Sequence, residues 1–406
     1  MERYTSVLGI LAILVMAWLM SSHKDRIPWR TIGGGLALQF VLAVFIIRTS
    51  WGQQTFEKVD LAFRALLDCV DAGTSFVFGE GFAEHYIAFK VLPTIIFFSA
   101  FMSILYYYGI IQLIVGAMAK VMQKTLGTSG AETLSAAANV FVGQTEAPLV
   151  VKPYISSMTT SELNAVMMGG FATMAGGVLG ALAGMGVNAG HLLAASVISA
   201  PGALLLAKIL QPELDTPKTM GTINVDIKDE STNVLEAIAN GTVGGLQLAL
   251  NVGAMLVVFI SLIAFINLLL ANLGSWIDIK GLSLQMILGY LFFPFAWLIG
   301  IEPANCLQAG QLLGIKMGTN EFVAYQELLK MPTQPGEANA VSDRTRTIMT
   351  YALCGFANFS SIGIQLGGIG GLAPDRRSDL ARLGLRAMFG GTLASLLTAS
   401  IAALFI

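Results

Sequence analysis

The chain has 406 residues, 55% of them hydrophobic and 12% charged, with a formal net charge of -2. With a mean hydropathy of +0.72 it has too little polar surface for a soluble protein of this size, so it reads as a polytopic helical membrane protein. Nucleic acid is set aside as a partner because phosphate binding needs clustered Lys and Arg, and here they sit in short loops. Cys69, Cys306 and Cys354 form no CxxC or Cys/His pattern, so neither a disulfide framework nor a zinc site is indicated, and the three are read as packing residues.

Hydrophobic windows predict eight spans, near 5–21, 31–48, 92–117, 163–185, 190–210, 246–271, 347–371 and 384–406. The first span has no small-x-small cleavage site and is expected to remain in the mature protein. Residues 50–90 mix Lys58, Asp60, Arg64 and Asp68 with apolar positions at helical spacing, which predicts amphipathic surface helices. Residues 128–160 hold the polar step Gly143-Gln144-Thr145-Glu146 between the apolar runs Ala136 to Val142 and Ala147 to Val151. A carboxylate and an amide at that depth survive only facing protein or a wet cavity, and intramembrane ionisable residues default to function. Residues 211–232 read as a polar loop. Leu282 to Ile301 is apolar enough to span, but Pro294 interrupts it, so it is taken as an interfacial helix. A second polar step, Asn320-Glu321, lies within 303–330.

Lys24, Arg26 and Arg30 follow the first span, and Arg376, Arg377, Arg382 and Arg386 precede the last, so both loops are expected to be cytoplasmic and both termini outside. That parity holds only if the material at 128–160 and 303–330 enters and leaves on one side. Both stretches therefore read as re-entrant helix-turn-helix hairpins with inward tips, the first opening inward and the second outward. After each comes a related stretch, Gly170-Phe171-Ala172-Thr173 and Gly355-Phe356-Ala357-Asn358, where small and hydroxyl residues predict broken helices. One hairpin and one broken helix per half is the arrangement of a secondary transporter built from inverted repeats. The expected divisions are scaffold 1–90, first repeat 91–210, polar loop and interfacial segment 211–245, and second repeat 246–406.

At Val142-Gly143-Gln144-Thr145-Glu146-Ala147-Pro148, Asn320-Glu321-Phe322-Val323-Ala324-Tyr325 and Gly355-Phe356-Ala357-Asn358-Phe359-Ser360-Ser361-Ile362-Gly363, the chain resembles the bacterial concentrative nucleoside transporters over nearly its whole length. The resemblance implies an all-α fold of eight transmembrane helices and two opposed hairpins. It also implies a homotrimer in the cytoplasmic membrane whose protomers each move a substrate-carrying domain like an elevator. Nucleobase contacts then fall on Gln144, Thr145, Glu146 and Val178, with Leu248 and Phe356 packing on the base, and ribose contacts on Glu321, Asn358 and Ser361. The coupling sodium ion falls to Asn139, the carbonyl of Val142, Thr173 and the carbonyl of Met174. The implied partners are nucleosides, sodium and the lipid bilayer, with no enzyme cofactor.

Other readings stay open at this point. Glu146 and Glu321 could cap helix N-termini, where a carboxylate suits the dipole. Proton coupling through either carboxylate is the rival to sodium. A channel lacks a symmetric filter ring, and an intramembrane enzyme lacks HExxH, a Ser/His or Ser/Lys pair, or a lysine in a hairpin tip. Gln247 and Asn251, at i and i+4, are read as making interhelical hydrogen bonds outside the site. His23, His85 and His191 are read as surface or interface residues.

Overall fold

Seventeen α-helices make up most of residues 2–221, 231–276, 279, 281–334, 337 and 340–406, the part described by this computed structural model, and no strand occurs among them. The chain opens with α1 (Glu2–Leu19), α2 (Trp29–Ala43) and the surface helix α3 (Ser50–Phe78). α3 is amphipathic as expected. It buries Gly52, Asp60, Val70 and Thr74, and Asp60 accepts the Ala189 amide at 2.8 Å.

Two halves of matching order follow. The first contains α4 (Leu92–Tyr107), α5 (Ile110–Leu126), a hairpin, the pair α8 (Thr160–Ala172) and α9 (Gly176–Gly184), and finally α10 (Ala189–Leu210). Its hairpin joins α6 (Gly130–Ala138) to a 3-10 turn at Ala147–Val151 and the short α7 (Lys152–Ile155). The second half contains α11 (Val234–Trp276), α12 (Leu284–Leu298), the hairpin α13 (Cys306–Gly318) and α14 (Glu321–Lys330), the pair α15 (Asp343–Ala352) and α16 (Phe359–Leu372), and α17 (Arg377–Ala403).

Among the described residues six helical stretches are long and apolar enough to cross a membrane, and they fall on all the expected spans except the first and the seventh. Those two fall on α1 and on the α15–α16 pair, of which α1 and α16 are apolar but shorter. The span expected at 92–117 is two helices. Gly109 takes φ 77° between α4 and α5, a left-handed conformation that ends one helix and lets the next start in a new direction. Beyond the polar stretch expected over 211–232, the Asn233 side chain accepts the Glu236 amide at 3.0 Å and α11 starts at Val234, where an interfacial segment to 245 is expected. Residues 222–230 of that stretch lie outside the described residues. At 43 residues, α11 is about 64 Å long at ~1.5 Å per residue, roughly twice the thickness of a bilayer core. The segment with Pro294 is helical through that proline. In chain order α12 is the counterpart of α5, which a hydropathy window merges with α4.

The start of each buried helix is written locally. Ser129 and Glu132 form a capping box on α6, as do Thr159 and Glu162 on α8. The two boxes are tied together by Ser129 Oγ donating to Glu162 at 2.5 Å. Lys208 of α10 pairs with Glu132 at 2.7 Å and Glu213 at 3.1 Å. The same end of the molecule gathers both basic loops: Ser22 N donates to Leu210 O at 3.0 Å, Arg376 to Met158 O at 2.6 Å, and Arg386 to Gln211 at 2.9 Å. At the opposite end Ser6 donates to Ile299 O at 3.3 Å, Arg344 to Gly300 O at 2.6 Å and Ala403 O at 3.0 Å, and Asn305 to Ala340 O at 2.9 Å. The first hairpin is therefore rooted among the basic loops and the second beside the start of α1 and the end of α17, so the two enter from opposite ends.

Burial separates a centre from a rim. The best membrane window of α8–α9 is 100% buried, that of α11 only 6%, which leaves α11 as the outlying helix. It rests on α4 through small residues: a Cβ added at Gly245 would meet Ile96 and Ser99 at 2.8 Å. Close backbone approach of this kind is how helices associate in lipid. Gln247 donates to Asn251 at 3.2 Å along this exposed face, so the pair satisfies itself within α11 and is not the interhelical bond expected of it.

Candidate substrate and ion site

Both hairpin tips end on the same half-helix. α16 begins at Phe359 because Asn358 caps it, its side-chain oxygen accepting Ser361 N at 2.9 Å and Ser360 Oγ at 2.7 Å. The amide of Asn358 donates to Glu321 Oε2 at 3.1 Å. One turn along, Ser361 Oγ accepts Gln144 Nε2 at 3.3 Å. A polar chain thus runs from Glu321 in the second tip through Asn358 and Ser361 to Gln144 in the first, and all four are buried.

The helix breaks make this meeting possible. α8 ends at Ala172 and α9 begins at Gly176, whereas the second break is longer, Leu353 to Asn358. Gly355 takes φ 102° in that break, and a Cβ on it would meet Phe171 O at 2.6 Å. Only glycine satisfies both the left-handed backbone and that approach. The repeated Gly-Phe-Ala is not equivalent in space: Gly170 lies in the last turn of α8, Gly355 in the unwound stretch. A Cβ on Gly170 would meet Gln144 Cβ and Gln365 Nε2, each at 2.8 Å, so this glycine clears room for the first tip.

Glu321 is buried in the first turn of α14 beside the cap made by Asn320, whose side chain accepts Val323 N at 3.0 Å. The capping reading and the binding reading are therefore compatible for this carboxylate, which sits at a helix dipole's positive end. Glu146 differs. It is exposed, makes no side-chain cap of the turn that follows it, and folds back so that any Cβ on Gly143 would run into its carboxylate. Its side chain is not enclosed by protein, which leaves the accessible surroundings also expected of a carboxylate at this depth, and the tip turns tightly at Gly143. Thr145 lies against Gly368 of α16, and Val178 in α9 and Phe356 in the second break are buried. Leu248, on α11, reaches the same region, within 3.9 Å of a Cβ placed on Gly177.

The structure adds two residues that the sequence reading passed over. Gln365, wholly buried, donates to Gln144 Oε1 and Met167 O, each at 3.0 Å, while its own side-chain oxygen has no hydrogen-bond partner. Its signal was an amide at i+4 from Ser361 in an apolar run. Lys316, buried in the last turn of α13, donates to Ala352 O and Cys354 O at 3.0 Å and to Ser395 Oγ at 3.2 Å. A lysine after Leu312-Leu313-Gly314-Ile315 is itself an intramembrane charge.

Of the residues expected to hold sodium, Asn139 and Thr173 both adjoin Gly169. Asn139 ends α6, and its amide nitrogen is spent on Ser135 O at 3.0 Å, leaving a buried side-chain oxygen without a partner. A Cβ on Gly169 would meet that amide at 3.3 Å, and Gly169 O accepts Thr173 Oγ1 at 2.9 Å. Thr173 and Met174 form the break after α8, where Met174 N donates to Ser196 at 3.3 Å. Val142 lies between Asn139 and the tip, beside Phe141, whose carbonyl accepts Gly176 N at 2.9 Å. An orphaned amide oxygen, a hydroxyl and carbonyls at an unwound helix are the donors a hard monovalent cation takes. Among the described residues no cluster of three His, Cys, Asp or Glu could hold another kind of metal.

Opposed hairpins, two crossed helix breaks and a polar centre define a membrane transporter built from two related halves. Residues 8–81 and 191–403 match the models for the N- and C-termini of the Na+ dependent nucleoside transporters, and 88–189 match a nucleoside recognition domain. The chain belongs to this family, the concentrative nucleoside transporters. A transporter without assigned function from Haemophilus influenzae is 47% identical over the whole chain and 98% of its own length. Sodium/nucleoside cotransporter 1 of Rattus norvegicus is 44% identical over 99% of this chain, which spans only 63% of that relative. Among solved structures, CNTnw in an inward-facing substrate-bound state superposes with a TM-score of 0.93 at 43% identity, covering all of this chain and 98% of the other. A doubly substituted CNTnw in an outward-facing state also gives 0.93, at 42% identity and with the same coverage.

Proposed function

We propose that this chain imports nucleosides, uridine among them, by symport with sodium. The observation that carries this is the polar chain Glu321–Asn358–Ser361–Gln144, which joins both hairpin tips at the start of α16. It offers a carboxylate and an amide to ribose hydroxyls on one side and an amide pair, Gln144 with Gln365, to a base edge on the other. Thr145, Glu146 and Val178 complete the base side, with Phe356 and Leu248 packing on its faces. Asn139, the Val142 carbonyl, Thr173 and the Met174 carbonyl take the sodium ion. A single sodium crossing 100 mV supplies about 2.3 kcal/mol, and a tenfold gradient adds about 1.4 kcal/mol. Together these sustain more than hundredfold accumulation.

The hydrogen bonds that join the first tip to α16 of the second half support movement of the site as one body. In this reading the site does not open by parting one half from the other. It moves as a unit past the outlying α11 and its neighbours, an elevator, with eight spans, two re-entrant hairpins and a homotrimer as the surrounding frame. The basic loops face the cytoplasm of a bacterial inner membrane, and both termini lie outside.

The deciding experiment is radiolabelled uridine uptake into proteoliposomes, first with an imposed sodium gradient at fixed pH and then with a proton gradient in the absence of sodium. Accumulation driven by sodium and lost in Asn139→Ala is the expected outcome. Accumulation driven by protons alone removes the ion assignment and keeps the nucleoside site, and no uridine uptake under either gradient removes the substrate class.

A further inference from the structure

The two helix breaks differ in length and in where Gly-Phe-Ala falls, yet each is met by corresponding positions of its own half. In the first half, the residue five positions before the tip glutamine is Asn139, and it adjoins Gly169, whose carbonyl accepts Thr173 Oγ1 of the break that follows Ala172. Five positions before the tip glutamate of the second half stands Lys316, whose ammonium faces the break that follows Ala352. The closing helix of each half supplies a serine to the second residue of its break. Ser196 of α10 meets Met174 at 3.3 Å, and Ser395 of α17 donates to Cys354 O at 2.7 Å. All three oxygens around Lys316 Nζ are neutral, two carbonyls and one hydroxyl. Lys208, the other lysine buried among the described residues, instead has two carboxylates in direct contact. Around Lys316 the direct oxygen partners are those of a cation site, and the Glu321 carboxylate acts on it only from beyond them.

We infer that Lys316 is a tethered cation, standing in the second half where the first half offers its oxygens to a diffusible ion. The ammonium holds the carbonyls exposed by the second break, and with them the stretch that presents Phe356 and Asn358, whether or not sodium is bound. The second half then has no exchangeable ion site, and one monovalent cation accompanies each nucleoside. This rests on the reading that Asn139 and Thr173 hold the coupling ion.

Two measurements test it. On the unaltered protein, the charge carried per uridine in proteoliposomes is expected to be one, and a ratio of two overturns the inference. In Lys316→Ala, uridine binding to purified protein is expected to weaken about ten- to hundredfold, because three buried oxygens lose their donor. Its sodium dependence should steepen from a Hill coefficient of about one toward two as a second sodium enters the vacated place. Sodium-induced thermal stabilisation without nucleoside reports whether the first-half site persists. A monodisperse Lys316→Ala protein with unchanged uridine affinity and unchanged sodium dependence overturns the inference. Should Lys316→Ala not fold, Lys316→Gln replaces it, and the charge ratio stands independently. Absence of sodium dependence in the unaltered protein strikes the coupling reading instead. The tethered-cation inference is then judged by whether Lys316→Ala acquires a cation requirement that the parent lacks.

Discussion

The first hairpin turns at Gly143-Gln144 through a 3-10 turn that no side chain caps, and its polar group is a neutral amide held by the opposite half. The second turns at Asn320-Glu321 into a capped helix, and its polar group is a carboxylate held by its own half. Around the breaks the charge pattern reverses: orphaned oxygen in the first half, a fixed ammonium in the second. Related helix orders have thus been given complementary chemistry. In the proposed reading one half serves a base edge and a mobile cation, the other hydroxyls that donate to a carboxylate. A site at the join can then grip both ends of an asymmetric molecule.

The sharpest way to break this comparison is Glu321→Gln. It should abolish uridine uptake, by about a hundredfold or more, since a buried acceptor for hydroxyls becomes in part a donor. Normal uptake by a protein that expresses and runs as the parent would remove Glu321 from the site. Next in size, Asn139→Ala removes the orphaned oxygen, and sodium-driven accumulation should collapse while uridine binding at saturating sodium weakens less. Equal loss in both assays would make Asn139 a packing residue.

Gly355→Ala comes third. It forces a Cβ into Phe171 O at a backbone φ of 102°, which should cost about 1 to 3 kcal/mol of stability, read as a lower melting temperature in detergent. Gln365→Leu should act more weakly and on one side only, lowering discrimination among bases in competition uptake with little effect on loss of a ribose hydroxyl. If it instead impaired both alike, the division of labour between the tips would be wrong. Gln247→Ala and Asn251→Ala sit on the exposed face of α11, and surface changes of this kind stay within about 0.5 kcal/mol. A large uptake defect in either would place α11 in the substrate path.

Much of the centre was legible because burial in a membrane is so restrictive. Gln144, Glu321 and Asn358 stand out in apolar runs where any polar group must be accounted for. Glu146 stands out equally, yet its side chain is exposed where that of Gln144 is buried, and hydropathy cannot tell an enclosed tip residue from an accessible one. The break at Gly109 was hidden for a related reason. A window averages hydropathy across a left-handed glycine without registering that the chain has changed direction, so α5 vanished into α4. Lys316 was hidden because it stands in the last turn of α13, before the tip, and its partners come from the second break and α17.

By itself the sequence determined the all-helical membrane character, the two polar tips, the broken helices and the family, because hydropathy, charge placement and motif order are local properties of the chain. Only the tertiary structure decided which polar groups meet. That Gln144 finds Ser361 and Gln365 from 217 and 221 positions away, that Gly355 seats against the end of α8, and that Lys316 reaches the second break are consequences of two halves entering from opposite ends and crossing. No local preference encodes such contacts. They exist because buried donors and acceptors, cut off from water, are stable only where another part of the fold supplies their partners.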